Sequence, residues 1–220
     1  LPEQILPPPV LVWQNTIELW QQGELQFHFQ VSAKRILWSV LLGASVGIVV
    51  ATWLALMKRS RDYVFPSINL VAQFPVVGWI PLLMIFLGID EALKIAAISL
   101  AVFPAVLIAT YKGIDQVPRS LLEVAEVYQY SNLQKLKNVI LPSALPSVIG
   151  GLRQGIMQAW LALVFVELLT SSEGIGFLMV WGRQLMQMDL IFMGLTGFVL
   201  DTVLAKIEQV SRFYATRVGE

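Results

Sequence analysis

Between about Ser143 and Thr170 the chain is apolar except for two ionisable residues, Arg153 and Glu167. A charge at membrane depth is costly unless it is paired or put to use. On a straight helix Arg153 lies roughly 16 Å beyond Pro142, and Glu167 roughly 21 Å beyond Arg153, too far for the two to pair along one helix. Arg153 could attract an anionic solute, or hold carbonyls or an acid where helices meet. Glu167 falls beside Ser171-Ser172-Glu173-Gly174-Ile175-Gly176, where the glycines permit a tight turn. Anchoring that turn at an outer gate is its favoured use, and carrying a proton the rival. Gln73, Trp79, Gln158 and Trp160 offer uncharged chemistry: hydrogen bonds and aromatic walls for a narrow pathway. Tryptophans of membrane proteins also serve as interfacial anchors. Asp201 and Lys206 read as a snorkelling or paired set near the end of the last span, and Met179, Met186, Met188 and Met193 as packing.

Catalysis has little to work with. There is no cysteine and one histidine, His28, which disfavours thiol nucleophiles, cysteine or histidine zinc sites and a Ser-His pair. No GxxxxGK[ST] phosphate loop occurs. Charged residues make up 14% and hydrophobic ones 56%, with 15 Lys+Arg balancing 15 Asp+Glu. Disordered chains, disulfide-built modules and basic nucleic-acid binders are excluded on those numbers, leaving a membrane protein, and one read as all-α because its charge-free runs have helix-span length.

The elements that must position these residues follow from charge-free runs of about 20 residues. Ile36 to Met57 is the cleanest. Tyr63 to Ile89 is interrupted by Pro66, Pro75, Gly78 and Pro81, predicting a broken span that faces protein or a water-lined cavity. Ile95 to Tyr111, about Ser143 to Thr170, and about Leu190 to Arg212 complete five spans, with one more helix expected upstream of Leu1. Residues 1–220 read as one transmembrane domain. Its outer segment, 1–34, carries an amphipathic helix over Val10 to Gln22, with Val10, Trp13, Ile17 and Trp20 at helical spacing. Basic residues set the sides. If Lys58, Arg59 and Arg61 are cytoplasmic, then Lys112, Arg119, Lys135, Lys137, Lys206, Arg212 and Arg217 join them, which is ten of the fifteen.

The inner loop, 113–142, reads as two short helices. Leu121, Leu122, Ala125 and Tyr128 form one apolar stripe, Gln129 to Asn132 a polar tip, and Leu133, Leu136 and Val139 to Leu141 a second stripe stopped by Pro142. Such a hairpin suits docking into a partner's groove; folding back on its own bundle is the plainer use.

Glu123-Val124-Ala125, then Gln129, then Val139-Ile140-Leu141-Pro142 resembles the coupling loop of ABC importer permeases: Glu-Ala-Ala, three residues, Gly, nine residues, Ile-x-Leu-Pro. Val124 and Gln129 depart from that pattern, and Gln at the glycine position is strained if the turn needs a positive φ. The segments FPVVGWIPLLMIFLGIDEALKI, LPSALPSVIGGLRQG and AWLALVFVELLTSSEGIGFLM are similar to the nitrate, sulfonate and taurine branch, and GRQLMQMDL is most like the aliphatic sulfonate permeases. The branch shares the Gly-Leu-Arg around Arg153.

The resemblance implies a type I ABC importer transmembrane domain. Two such subunits would pair, each coupling hairpin (Glu123, Val124, Ala125, Gln129, Tyr130, Ser131, Asn132, Leu141, Pro142) would dock on one of two cytoplasmic ATPases, and an extracytoplasmic binding protein would deliver substrate. The chain itself would bind no cofactor, with ATP and Mg on the ATPase. It would sit in the bacterial inner membrane with no nucleic-acid partner. A non-transporting scaffold using the same hairpin is the alternative.

Overall fold

The structure is a computed structural model that describes residues 9–184, and within them it is helical with short connections. Helix α1, Pro9–Gln22, starts at the expected proline and ends where Gly23 takes φ 81 to redirect the chain. Its apolar Val10, Ile17 and Trp20 are exposed. Helix α2, Glu24–Leu56, is much longer than the uncharged run. The sequence reading began this span at Ile36 because Lys34 and Arg35 are charged. The helix nevertheless starts twelve residues earlier, since no proline or glycine interrupts Glu24 to Leu42 and the charge of Arg35 is satisfied by tertiary partners.

The broken span is α3, Lys58–Gln73, and α4, Val76–Leu87. The break falls at Phe74–Pro75, where Pro75 is extended (ψ 135) and disfavours a helical conformation in the residue before it. Pro66 and Pro81 remain inside their helices. Gly88 (φ 69) closes α4, and α5 runs Glu91–Asp115 with Pro104 buried in its interior. Next come α6, Arg119–Val127, and α7, Asn132–Lys135. The latter passes through a π-helical segment, Leu136–Ile140, into α8, Leu141–Thr170. The expected stop at Pro142 is therefore wrong. A proline lacks the N–H that a helix interior needs, but the preceding π turn re-pairs the ladder, with the Leu141 N–H bonding the Leu136 carbonyl. Finally α9 is Ile175–Gln184. The fifth predicted span, with Asp201, Lys206 and Met193, lies outside the described residues, as do Met186 and Met188 before it.

Helices α2, α5 and α8 form the bundle, and each is long and apolar enough to cross a membrane. In lipid, apolar burial gives no net drive, so association rests on close packing. Small residues provide it here: a Cβ at Gly43 of α2 would sit 2.7 Å from the Ser99 carbonyl of α5, and one at Gly155 of α8 would sit 3.1 Å from the Val102 side chain. Around these contacts Ala44, Ile98, Val102, Val106, Ala159 and Leu163 make the central core. Ile68 seats α3 beside Leu54, Leu107 and Tyr111, while Ile80 seats α4 against Ala97 and Val166. Helices α2 and α5 run parallel and α8 antiparallel to them. The starts of α2 and α5 thus meet the end of α8 at one end of the bundle, and the α6–α7 hairpin lies at the other.

Candidate functional site

Three arrangements matter: a buried ion cluster at one end, a cleft at the broken span, and the hairpin at the opposite end. The cluster is built on Arg35. Its Nε–H and Nη2–H donate to the two oxygens of Glu91 on α5 (2.8 and 2.5 Å). Its Nη1–H donates to Glu167 Oε1 on α8 (2.7 Å) and to the Glu173 carbonyl (2.9 Å). Lys94 adds a second cation on Glu91, at 2.8 Å. Arg35 is 3% exposed and Glu167 fully buried, whereas Glu91 is 57% exposed at the rim. Glu167 also accepts from Ser32 Oγ and from the Gly176 N–H (2.8 Å). The Ile175 N–H donates to Ser32 Oγ and the Gly174 N–H to His28 Nδ1, each at 2.9 Å. A backbone N–H can only donate, so His28 is neutral with its proton on Nε2.

Three successive amides at the start of α9 are thus each held by a side chain from α2 or α8, with the Glu167 carboxylate at the positive end of the helix dipole. Gly174 has φ 110, and a Cβ there would collide with the Glu167 carboxylate. One at Gly176 would lie 2.6 Å from Glu167 Cβ. The charged side chains of the cluster, Arg35, Glu91, Lys94 and Glu167, are paired with one another, so it ties α2, α5, α8 and α9 together, with Glu91 as its exposed rim. Sequence reasoning placed Glu167 beside this turn but missed Arg35, Ser32, His28, Glu91 and Lys94. The available signal was the i, i+4, i+7 spacing of His28, Ser32 and Arg35 on one helical face.

The cleft, about 380 Å³, opens where α3 breaks from α4 and is walled by α5 and α8. Phe74 stands edge-on to Trp79 with ring centroids 5.3 Å apart. From α8, Gln154, Gln158, Leu161 and Phe165 line it at helical spacing, and Pro104 of α5 lies opposite. The Trp79 Nε1–H is buried without an acceptor. No side chain caps the first amides of α4 at the wall of this cleft. Of the predicted pathway residues, then, the structure brings Trp79 and Gln158 together and adds Gln154. Gln73 is exposed at the end of α3 and Arg153 is half-buried and engaged; neither lines the cleft. Trp160 packs on the α2–α5–α8 core, and Glu167 belongs to the ion cluster.

At the hairpin, Gln129 takes the left-handed φ of 52. The Gln129 N–H bonds the Glu126 carbonyl (2.9 Å) and the Tyr130 N–H the Ala125 carbonyl (3.0 Å), a Schellman closure of α6. Glutamine therefore occupies the conformation that glycine would adopt without strain. Ser131 then caps α7 through a reciprocal capping box with Gln134. Ala125 is buried, whereas Glu123, Val124, Asn132, Leu141 and Pro142 are exposed. The tip is less polar than its sequence suggests, because Val127, Tyr128 and Leu133 are each more than 70% exposed around it. Tyr128 also lines a groove between α6 and the start of α8, with Val124, Tyr130, Val139 and Pro142. Exposed apolar groups of this kind are what a docking surface offers.

The fold is that of an ABC transporter transmembrane domain of the type I importer class. A chain of an amino acid ABC transporter crystal structure superposes with TM-score 0.72 at 13% identity, covering 89% of this chain and 95% of that one. A chain of the methionine transporter MetNI, in inward-facing conformations, gives 0.64 at 16% identity, covering 93% and 97%. Residues 43–208 match the family described as binding-protein-dependent transport system inner membrane component, and the chain belongs to that family. A Bacillus subtilis (strain 168) protein named as an aliphatic sulfonates transport permease, SsuC, is 37% identical over 89% of this chain and 71% of its own length. Its Escherichia coli (strain K12) namesake is 32% identical over 96% and 79%. The taurine transport system permease protein TauC of the same E. coli strain is 29% identical over 92% and 75%. The chain is a multi-pass membrane permease of the sulfonate and taurine branch.

Proposed function

We propose that this permease forms the translocation pathway for a small anion, an aliphatic sulfonate in first place and taurine, nitrate or bicarbonate after it. The observation that carries the substrate class is the 37% identity to a protein named as an aliphatic sulfonates permease, extending over most of both chains. Two copies pair in the bacterial inner membrane, and an extracytoplasmic binding protein delivers the anion to the end that holds the ion cluster. The hairpin lies on the cytoplasmic side, where the surrounding basic residues favour it. There Glu123 to Asn132, with Leu141 and Pro142 behind them, engage one of two ATPase subunits. ATP and Mg are bound by those ATPases and no cofactor by this chain. Closing of the ATPase pair moves the hairpins, and the continuous helix from Asn132 to Thr170 carries the displacement to the far end of the bundle.

Growth and uptake decide the substrate. Cells lacking this permease should lose import of labelled ethanesulfonate and regain it from a plasmid copy. Unchanged sulfonate uptake with loss of a cationic solute's import would contradict the anion assignment.

A further inference from the structure

We infer that the cleft at the α3–α4 break holds its anion through neutral hydrogen-bond donors alone, with Trp79, Gln154 and Gln158 setting selectivity and Arg153 outside the site; this rests on the anion-permease reading above. Three observations support it. No ionisable side chain lines the cleft among the described residues. Trp79, in the cleft wall, has a donor-only indole N–H that is buried and lacks an acceptor. Gln154 and Gln158 stand one turn apart on the exposed face of α8, each with an amide bearing two donors, while Arg153 is engaged elsewhere although adjacent in sequence.

The chemistry fits a solute in transit. A sulfonate spreads one charge over three oxygens, each able to accept from an uncharged N–H. A fixed cation in a low-dielectric cleft would bind the same group far more strongly, because Coulomb attraction grows as the dielectric falls. A pathway requires binding strong enough for a solute to enter and weak enough for it to leave. Neutral donors meet both demands, and their lack of charge also leaves no counter-ion to be carried.

The test uses opposite charges at one position in the complete transporter, reconstituted in proteoliposomes with its ATPase and binding protein, with assembly checked by co-purification. With labelled ethanesulfonate, Gln158→Glu should raise KM at least tenfold. Gln158→Lys should lower KM and reduce maximal uptake severalfold, because release slows. Trp79→Phe should raise KM a few-fold. If a Gln158 variant does not assemble, Gln154→Glu and Gln154→Lys should give the same pair of signs. A merely structural role would shift both members of a pair in one direction, and that result, or unchanged KM in all variants, overturns the inference while leaving the permease reading intact. Loss of ethanesulfonate binding on Arg153→Gln, with the cleft variants silent, overturns it likewise. A wild-type complex that imports none of ethanesulfonate, taurine, nitrate and bicarbonate overturns the anion reading and the inference together.

Discussion

Arg35 is the side chain on which the ion-cluster end of the bundle depends. Its guanidinium is committed to two carboxylates on different helices and to a backbone carbonyl, all within 2.9 Å. Removing one partner of a buried pair costs up to about 3–5 kcal/mol, and the loss of Glu167 would take from Arg35 its buried counter-charge and leave only the exposed Glu91. Glu167→Gln should therefore lower the thermal midpoint of the detergent-solubilised complex sharply. Glu91→Gln should lower it less, because the Glu91 carboxylate is more than half exposed and water can replace what it supplies. Equal losses would show that the burial difference does not govern the cluster. At the other end, Gln129→Gly should relieve left-handed strain of about 1 kcal/mol, partly offset by the extra freedom of glycine in the unfolded chain. Slower amide exchange at Tyr130 would register that gain, and faster exchange would count against a strained Gln129. The importance of Glu167 was legible from two glycines that follow it. Its partner was not, because treating charge as a span boundary cut Arg35 away from the helix to which it belongs.

The helical elements were largely legible, and their exceptions have physical causes. Four helix-breaking residues between Pro66 and Pro81 announced a broken span, but only Pro75 breaks it; the other two prolines stay within helices. Pro142 announced a helix end that a π turn removes, and the consequence is mechanical. The second arm of the hairpin and α8 form one rod of 39 residues, so movement at the tip reaches the Glu167 end without crossing a loop. Replacing Tyr128 with Asp would place a charge on the exposed apolar tip. It should weaken co-purification of the ATPase by tenfold or more while membrane insertion persists. Undiminished association would move the docking surface elsewhere. The apolar character of that tip escaped the sequence reading because Tyr128 and Leu133 were assigned to apolar seams and Val127 to neither, whereas all three are exposed beside the Schellman turn.

At the scale of the whole molecule, net zero charge is expected to conceal a sided distribution, and among the described residues the parallel α2 and α5 with antiparallel α8 place the expected inner and outer segments at opposite ends. Because residues 1–220 contain no cysteine, single replacements within them add the one thiol of this segment. In intact cells a membrane-impermeant maleimide should label Asp90→Cys directly and Leu133→Cys only after permeabilisation; the reverse pattern would invert the topology. The grouping of Trp79 with Gln158 was foreseeable as a kind of residue, but the addition of Gln154 and the exclusion of Arg153 depend on helix rotation, which needs the packed bundle to define it. The most direct measurement of the central claim is uptake of labelled ethanesulfonate into proteoliposomes holding this permease, its ATPase and its binding protein. Uptake should require ATP and the binding protein and should disappear when Glu123 is replaced by Lys. Accumulation that proceeds without ATP, or that survives a disrupted hairpin in an otherwise intact complex, would contradict coupled import through this chain.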